Sequence, residues 1–255
     1  MLFFKRILKE PEAPPSAPAA PQVERRSAKR YAVNPQFPVR ATLSFVPRDD
    51  TGAPMSTSRH GWNWKGRLID CSEQGARLQM GPTLKVQARD LCDLILAVDD
   101  FELTVPCHIA NIREQAEGVV FGLKHDIADA TTLAAYGQLL EVLALGSTLK
   151  LQGKAELDES GYFAEHYTST RPARLSVWRS PAKRAVVAFE FQLKDNLVRA
   201  VLGQRMEFLT GFGAEARPAP PAKALEIQRL FNWVLPNLAP AVPEDVREFL
   251  ARYAA

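Results

Sequence analysis

The chain has 255 residues, a length that suits one large domain or two domains of ordinary size. Apolar residues make up 46 % of it, which is enough to fill a core and excludes an intrinsically disordered chain. The net charge is +3, but residues 1–30 hold seven basic and three acidic side chains, or +4, so the remaining residues sum to −1. This near-neutral remainder excludes the broad basic face of a protein that binds a nucleic acid polymer.

The first 22 residues predict a flexible tip and a linker. Residues 1–8 are apolar and basic, whereas residues 11–21 are mostly proline and alanine, which favours a semi-rigid extended spacer. The apolar run is too short for a signal peptide or a membrane span. Two interpretations of the tip stay open: a docking peptide for a partner or a membrane surface, and a chain end that happens to be apolar.

Alternation in the first segment and strand signals in five later ones predict six strands between residues 37 and 125. The first has its apolar residues on one face: Phe37, Val39, Ala41, Leu43 and Phe45. After a polar loop at residues 47–61, the other five strands are predicted at Trp64–Ile69, Ala76–Met80, Leu91–Val98, Phe101–Ile112 and Gly118–His125. Six short strands at this spacing predict a small antiparallel β-barrel, so the fold class is mainly β.

A helix is predicted to close this barrel at its C-terminal end. Asp126 or Asp129 is suited to cap the start of the helix, and Gly146 follows Leu145 as a stop signal. Four residues are predicted to share one face of the helix: Leu133, Tyr136, Leu140 and Leu143. Residues 23–146 are therefore predicted to form the first domain.

Residues 147–255 predict a second β-rich domain, of unknown function, that ends in two helices. Strand patterns occur at Thr148–Leu157, Tyr162–Thr168, Arg174–Trp178 and Ala185–Leu193, and more weakly at Leu197–Val201 and Met206–Leu209. A proline-rich linker at residues 217–222 precedes two amphipathic helices, one ending at Pro236 and the other beginning at Pro243. The strand count also admits a degenerate second barrel.

A basic cluster in this half is interpreted as a solvated strand face, with a partner surface as the alternative: Arg171, Arg174, Arg179, Lys183 and Arg184. Three cysteines without C-x-x-C spacing predict buried free thiols in a reducing cytoplasm: Cys71, Cys92 and Cys107. The four histidines are dispersed, so no metal site is predicted. The sequence contains no G-x-S-x-G, P-loop or G-x-G-x-x-G motif, and therefore predicts no enzyme.

Two short motifs carry the functional signal. The first is Arg26-Ser-Ala-Lys-Arg30, two arginines at i and i+4, and the second is the Asp70-x-Ser72-x-x-Gly75 step between two predicted strands. Taken alone, the first indicates a solvated charge run and the second an ordinary turn. Together, in this order around an alternating strand, they resemble the PilZ domain, a bacterial receptor for the second messenger cyclic di-GMP.

The resemblance implies a role for each motif residue. Arg26 and Arg30 would grip the nucleotide, since the arginine fork donates to phosphates or to guanine O6 and N7 and stacks on bases. Asp70 would accept from a guanine edge or orient the arginines, Ser72 would reach a base or phosphate, and Gly75 would permit a left-handed turn or a close backbone approach. Arg25 precedes the motif, and an arginine there favours an intercalated ligand pair over a single nucleotide.

Two aromatic side chains, Trp62 and Trp64, either pack the barrel rim or present an aromatic face near the ligand. The sequence as a whole predicts a cytoplasmic, non-catalytic cyclic di-GMP effector that needs no cofactor. When the ligand binds, the segment Arg25–Arg30, called the arginine arm, is predicted to change its conformation and the contacts with a protein partner. The alternative is a PilZ-like structural or adaptor protein that acts through protein contacts without binding the nucleotide.

Overall fold

The structure is a computed structural model that describes residues 28–57, 61–81, 85–116, 118–211 and 213–254. The predicted tip and linker, and the predicted ligand residues Arg25 and Arg26, lie outside these residues. Within them, no helix is long and apolar enough to cross a membrane.

The first half is an antiparallel barrel with a short strand attached. Its strands are β1 (Tyr31–Ala32), β2 (Val39–Phe45), β3 (Trp62–Ser72), β4 (Gly75–Met80), β5 (Leu91–Val98), β6 (Phe101–Gln115) and β7 (Gly118–His125). Six of them close in the order β3-β2-β5-β6-β7-β4, with β4 pairing back onto β3. The predicted barrel is confirmed, and the additional strand β1, which directly follows the arginine arm, pairs with the end of β3.

Helix α1 (Ala130–Ser147) follows the barrel. Asp129 caps it, because its carboxylate accepts from the backbone N–H of Thr132 at 2.7 Å. On the predicted face of this helix, Tyr136, Leu140 and Leu143 are buried and Leu133 is exposed. The prediction of Gly146 as a stop signal is wrong, because Gly146 lies inside the last turn, where an added Cβ would come within 3.0 Å of Val234. Gly146 therefore permits close packing against the following helix rather than stopping its own.

The second half is an open antiparallel meander packed against two helices. Its strands are β8 (Lys150–Leu157), β9 (Phe163–Thr168), β10 (Ala173–Arg179), β11 (Val186–Leu193), β12 (Asn196–Val201), β13 (Glu207–Thr210) and β14 (Arg217–Pro218). They pair in sequence order, and within the described residues the edge strands β8 and β14 do not pair with each other. The second sheet is therefore open and is not a second barrel.

Two helices, α2 (Pro221–Val234) and α3 (Glu244–Ala251), close the chain, and a 3₁₀ turn lies between them at Leu235–Asn237. The prediction of a linker at residues 217–222 is wrong. The start of this segment pairs with β13, and its end forms the first turn of α2. Proline is tolerated there, because the N–H of the first helical residue has no partner within the helix.

Apolar packing continues from one half to the other without a break. On α2, Phe231 is fully buried and stacks on Phe189 with ring centroids 5.9 Å apart. Polar contacts also connect the two halves of the chain. The backbone N–H of Asn34 donates to Asn237 Oδ1 at 2.8 Å, and Lys194 pairs with Glu141 at 2.7 Å. The barrel and the second sheet therefore share one core around α1 and α2.

The basic cluster of the second half does not form one solvated face. Arg179 is buried, where it pairs with Glu165 at 2.8 Å and with Asp245 on α3. The hydrogen bond to Asp245 raises the pKa of Arg179, so this guanidinium stays charged inside the fold. Arg184 is exposed and lies over the ring of Phe163, so the interpretation as a solvated face is wrong for Arg179.

Candidate functional site

The site is organised around a buried carboxylate held by two arginines. Pairing of Ala32 with Asp70 places Arg30 beside the end of β3, and its Nη1 donates to Asp70 Oδ1 at 2.7 Å. On the other side, Arg77 Nε donates to Asp70 Oδ2 at 2.5 Å. Asp70 is 4 % exposed, whereas the side chains of Arg30 and Arg77 are 29 % and 42 % exposed. Both carboxylate oxygens are thus paired, and the cluster of two arginines and one aspartate has a net positive charge.

Arg77 is a site residue that the sequence interpretation missed. It lies directly opposite Asp70 in the β3–β4 pair, two residues beyond Gly75. A two-residue turn between Ser72 and Gly75 fixes this register, since the pairs 72–75, 71–76 and 70–77 must follow. The signal for Arg77 was therefore present in the second motif.

The turn itself is shaped by Ser72 and Gly75. The Ser72 hydroxyl donates to the Gly75 carbonyl at 3.1 Å and is buried. A Cβ on Gly75 would stand 2.1 Å from the carbonyl oxygen of Leu123 on β7. Of the two roles suggested for this glycine, close backbone approach is the one the structure contains, because Gly75 is not among the residues with positive φ.

Helix α1 supports the turn from behind. The Tyr136 hydroxyl donates to the Ser72 carbonyl at 3.1 Å, and the His125 ring meets the Tyr136 ring edge-on at 4.5 Å. Burial raises the pKa of the neighbouring Cys71 to about 12, so this thiol stays protonated. All three cysteines are free and buried, as predicted.

We expect protonation of His125 to lower the stability of the folded chain at acidic pH. Burial lowers the pKa of His125 to about 4, an effect that nearby Arg30 increases and Asp126 opposes. The unfolded chain, with a histidine pKa near 6.5, binds the proton first, so stability is complete above about pH 6.5 and falls toward pH 4. We expect the loss to reach about 3 kcal/mol. Denaturant midpoints across this range should show it.

The matched control is His125→Leu, which keeps an apolar side chain in the same space. Carboxylates also titrate near pH 4, but their contribution is common to both proteins. The difference in stability between the two proteins should therefore change between pH about 6.5 and about 4. A difference that stays constant with pH would show that His125 does not titrate in this way.

Other predicted candidates lie away from this cluster. Trp62 and Trp64 are at the opposite end of β3 from Asp70. Trp64 stacks on Phe45 with centroids 6.2 Å apart and packs the barrel rim, whereas Trp62 is 60 % exposed. No group of three or more His, Cys, Asp or Glu side chains suited to a metal ion occurs in the described part of the chain.

The fold is thus a small barrel that carries two partly exposed arginines beside a buried carboxylate. Residues 24–139 match the family model described as "PilZ domain", the family that the two motifs resemble. The family is a ligand-binding domain family rather than a catalytic one. None of the curated proteins compared matches the chain.

Solved PilZ domains resemble the barrel at low sequence identity. The PilZ domain with c-di-GMP of YcgR from Escherichia coli is 11 % identical, with a TM-score of 0.35, and the match covers 47 % of this chain and 92 % of that one. The PilZ domain of CeSA from a cellulose synthesizing bacterium is 15 % identical, with a TM-score of 0.31 and coverage of 44 % and 93 %.

Proposed function

We propose that the protein is a cyclic di-GMP-binding effector that grips the nucleotide between its arginine arm and the Asp70–Gly75 turn. The observation that carries this proposal is the Arg30–Asp70–Arg77 cluster, which lies inside the PilZ domain and leaves two guanidinium groups partly exposed. A buried carboxylate fixes both guanidinium groups in orientation, and preorganised donors bind an anion at lower entropic cost.

The ligand chemistry fits arginine in particular. Cyclic di-GMP has two phosphodiester anions and two guanines, and a guanidinium fork donates bidentately to either group while its face stacks on a base. We assign Arg26 and Arg30 to these contacts and Arg25 to a second stacked guanine, so that a pair of nucleotides is bound. Asp70 orients the arginines.

The turn residues act through shape. The hydroxyl of Ser72 is turned toward the Gly75 carbonyl, and Gly75 lets β4 approach β7 closely. We therefore propose that Ser72 and Gly75 form the wall against which the ligand rests. Binding then shifts the arm toward its ordered position, since a ligand moves such an equilibrium through its higher affinity for one state. The moved arm would change how the chain meets a protein partner, in a cytoplasmic setting that the free thiols support.

Thermal unfolding with added nucleotide tests the proposal. A ligand that binds the folded chain alone stabilises it by about 2.7 kcal/mol at a hundredfold excess over Kd. We expect the transition to rise with cyclic di-GMP concentration and to stay constant with cyclic GMP, which lacks the second guanine and the second phosphate link. Equal shifts with both nucleotides would contradict recognition of the dinucleotide.

A further inference from the structure

The loop between β9 and β10, residues 169–172, reaches from the second half of the chain to the arginine arm. Arg171 Nη2 donates to the Tyr31 hydroxyl at 3.3 Å, and Lys29 Nζ donates to Thr170 Oγ1 at 3.4 Å. Tyr31 directly follows Arg30 and pairs with Cys71, the neighbour of Asp70. A guanidinium of the C-terminal half therefore lies beside the candidate ligand site of the PilZ domain.

The loop that carries Arg171 is fixed by contacts at several points. The Arg171 backbone N–H donates to Ser169 Oγ at 3.0 Å, and Ser169 Oγ in turn hydrogen-bonds Thr148, the C-cap residue of α1. The Pro172 carbonyl accepts from the backbone N–H of Lys194 at 2.7 Å. Contacts with the second sheet and with the end of α1 therefore hold Arg171 beside the arginine arm.

The hydrogen-bond partner of Arg171 does not neutralise the positive charge of its guanidinium group. The side chain is exposed, and its hydrogen-bond partner is a neutral phenol. Within the described residues Arg171 forms no ion pair with a carboxylate, although Glu73 of the turn and Glu141 of α1 act on it electrostatically. An exposed arginine that bonds to a neutral group can exchange this bond for a stronger, charge-assisted bond to an anion.

We propose that Arg171 is a further ligand-contacting residue, which donates to a phosphate of the nucleotide and makes the C-terminal half part of the binding site. The proposal rests on the proposed function and extends it. Bound nucleotide would contact the arm, the Asp70–Gly75 turn and the β9–β10 loop together. The second half would then sense the ligand directly, without relying on movement of the arm alone.

The test compares cyclic di-GMP binding to the full-length wild type and to Arg171→Ala by titration calorimetry. Loss of one charge-assisted hydrogen bond to phosphate corresponds to a rise in Kd of about 10- to 100-fold. Arg174→Ala removes an exposed arginine from the same hairpin and should leave Kd within about twofold of the wild type. Arg171→Lys keeps the charge and should give an intermediate Kd even if Arg171→Ala folds poorly.

Tyr31→Phe separates direct contact from a structural role. It removes the phenol that holds Arg171 and keeps the ring that packs in the core, so Kd should stay within about twofold of the wild type. Equal weakening in Tyr31→Phe and Arg171→Ala would show that Arg171 acts through Tyr31 and would overturn the proposal. Wild-type affinity in Arg171→Ala would overturn it while leaving the proposed function intact. Absence of binding by the wild type would remove both.

Discussion

Arg30→Ala is expected to raise the Kd for cyclic di-GMP by about 100-fold or more, since it removes a guanidinium that donates up to two charge-assisted bonds. It also leaves Asp70 with Arg77 as its remaining ionic partner among the described residues, so the orientation of the second arginine is loosened. Titration calorimetry with the full chain measures the change. Thermal unfolding of the variant alone shows how much of the loss comes from the fold.

The matched control is Arg199→Ala on β12. Arg199 pairs with Glu207 at 2.6 Å, and both side chains are about half exposed. Such an exposed pair contributes about 0–1 kcal/mol to stability, and its removal should leave Kd unchanged. Wild-type affinity in Arg30→Ala would exclude the cluster as the ligand site.

Phe231→Ala is expected to lower the free energy of unfolding by about 3–5 kcal/mol, the usual cost of deleting a buried phenylalanine ring. Phe231 is fully buried and meets Phe189 face to face and Phe191 edge-on. Because the apolar core runs without a break from the barrel into the second sheet, we expect one unfolding transition for the whole chain. Denaturant unfolding followed by circular dichroism and by tryptophan fluorescence should give coincident curves.

Leu225→Ala on the same helix is the control. Leu225 is 67 % exposed, so its truncation should change stability by about 0.5 kcal/mol or less. The division at residues 146 and 147 stays a prediction that this experiment tests. Two separate transitions, of which Phe231→Ala shifts only one, would show that the halves fold independently.

The barrel could be predicted because its determinants are local. Strands β5 and β7 begin and end at the predicted residues, since short apolar runs bounded by turn residues indicate strands without reference to distant residues. Gly146 and the 217–222 segment were misinterpreted for the opposite reason. Glycine and proline mark helix ends and linkers on average, but here a neighbouring helix and a neighbouring strand determine their roles.

The candidate site likewise contains some residues that the sequence predicts and others that it does not. Arg30, Asp70, Ser72 and Gly75 lie close together in the structure, while their role in ligand binding stays a prediction, and the position of Arg77 follows from the hairpin register. Tyr136, His125 and Arg171 could not be found from the sequence, because their contacts span tens to over a hundred residues and depend on how α1 and the second sheet dock. Their roles require the tertiary structure.

Titration calorimetry of the wild-type chain with cyclic di-GMP tests the central claim most directly. The proposed site predicts saturable binding with micromolar or tighter affinity, and a ratio of two nucleotides per chain if Arg25 stacks on a second guanine. A chain that releases or absorbs no heat at high micromolar ligand, and whose thermal transition the nucleotide leaves unchanged, would contradict the account. That result would favour a PilZ-like adaptor that works through protein contacts.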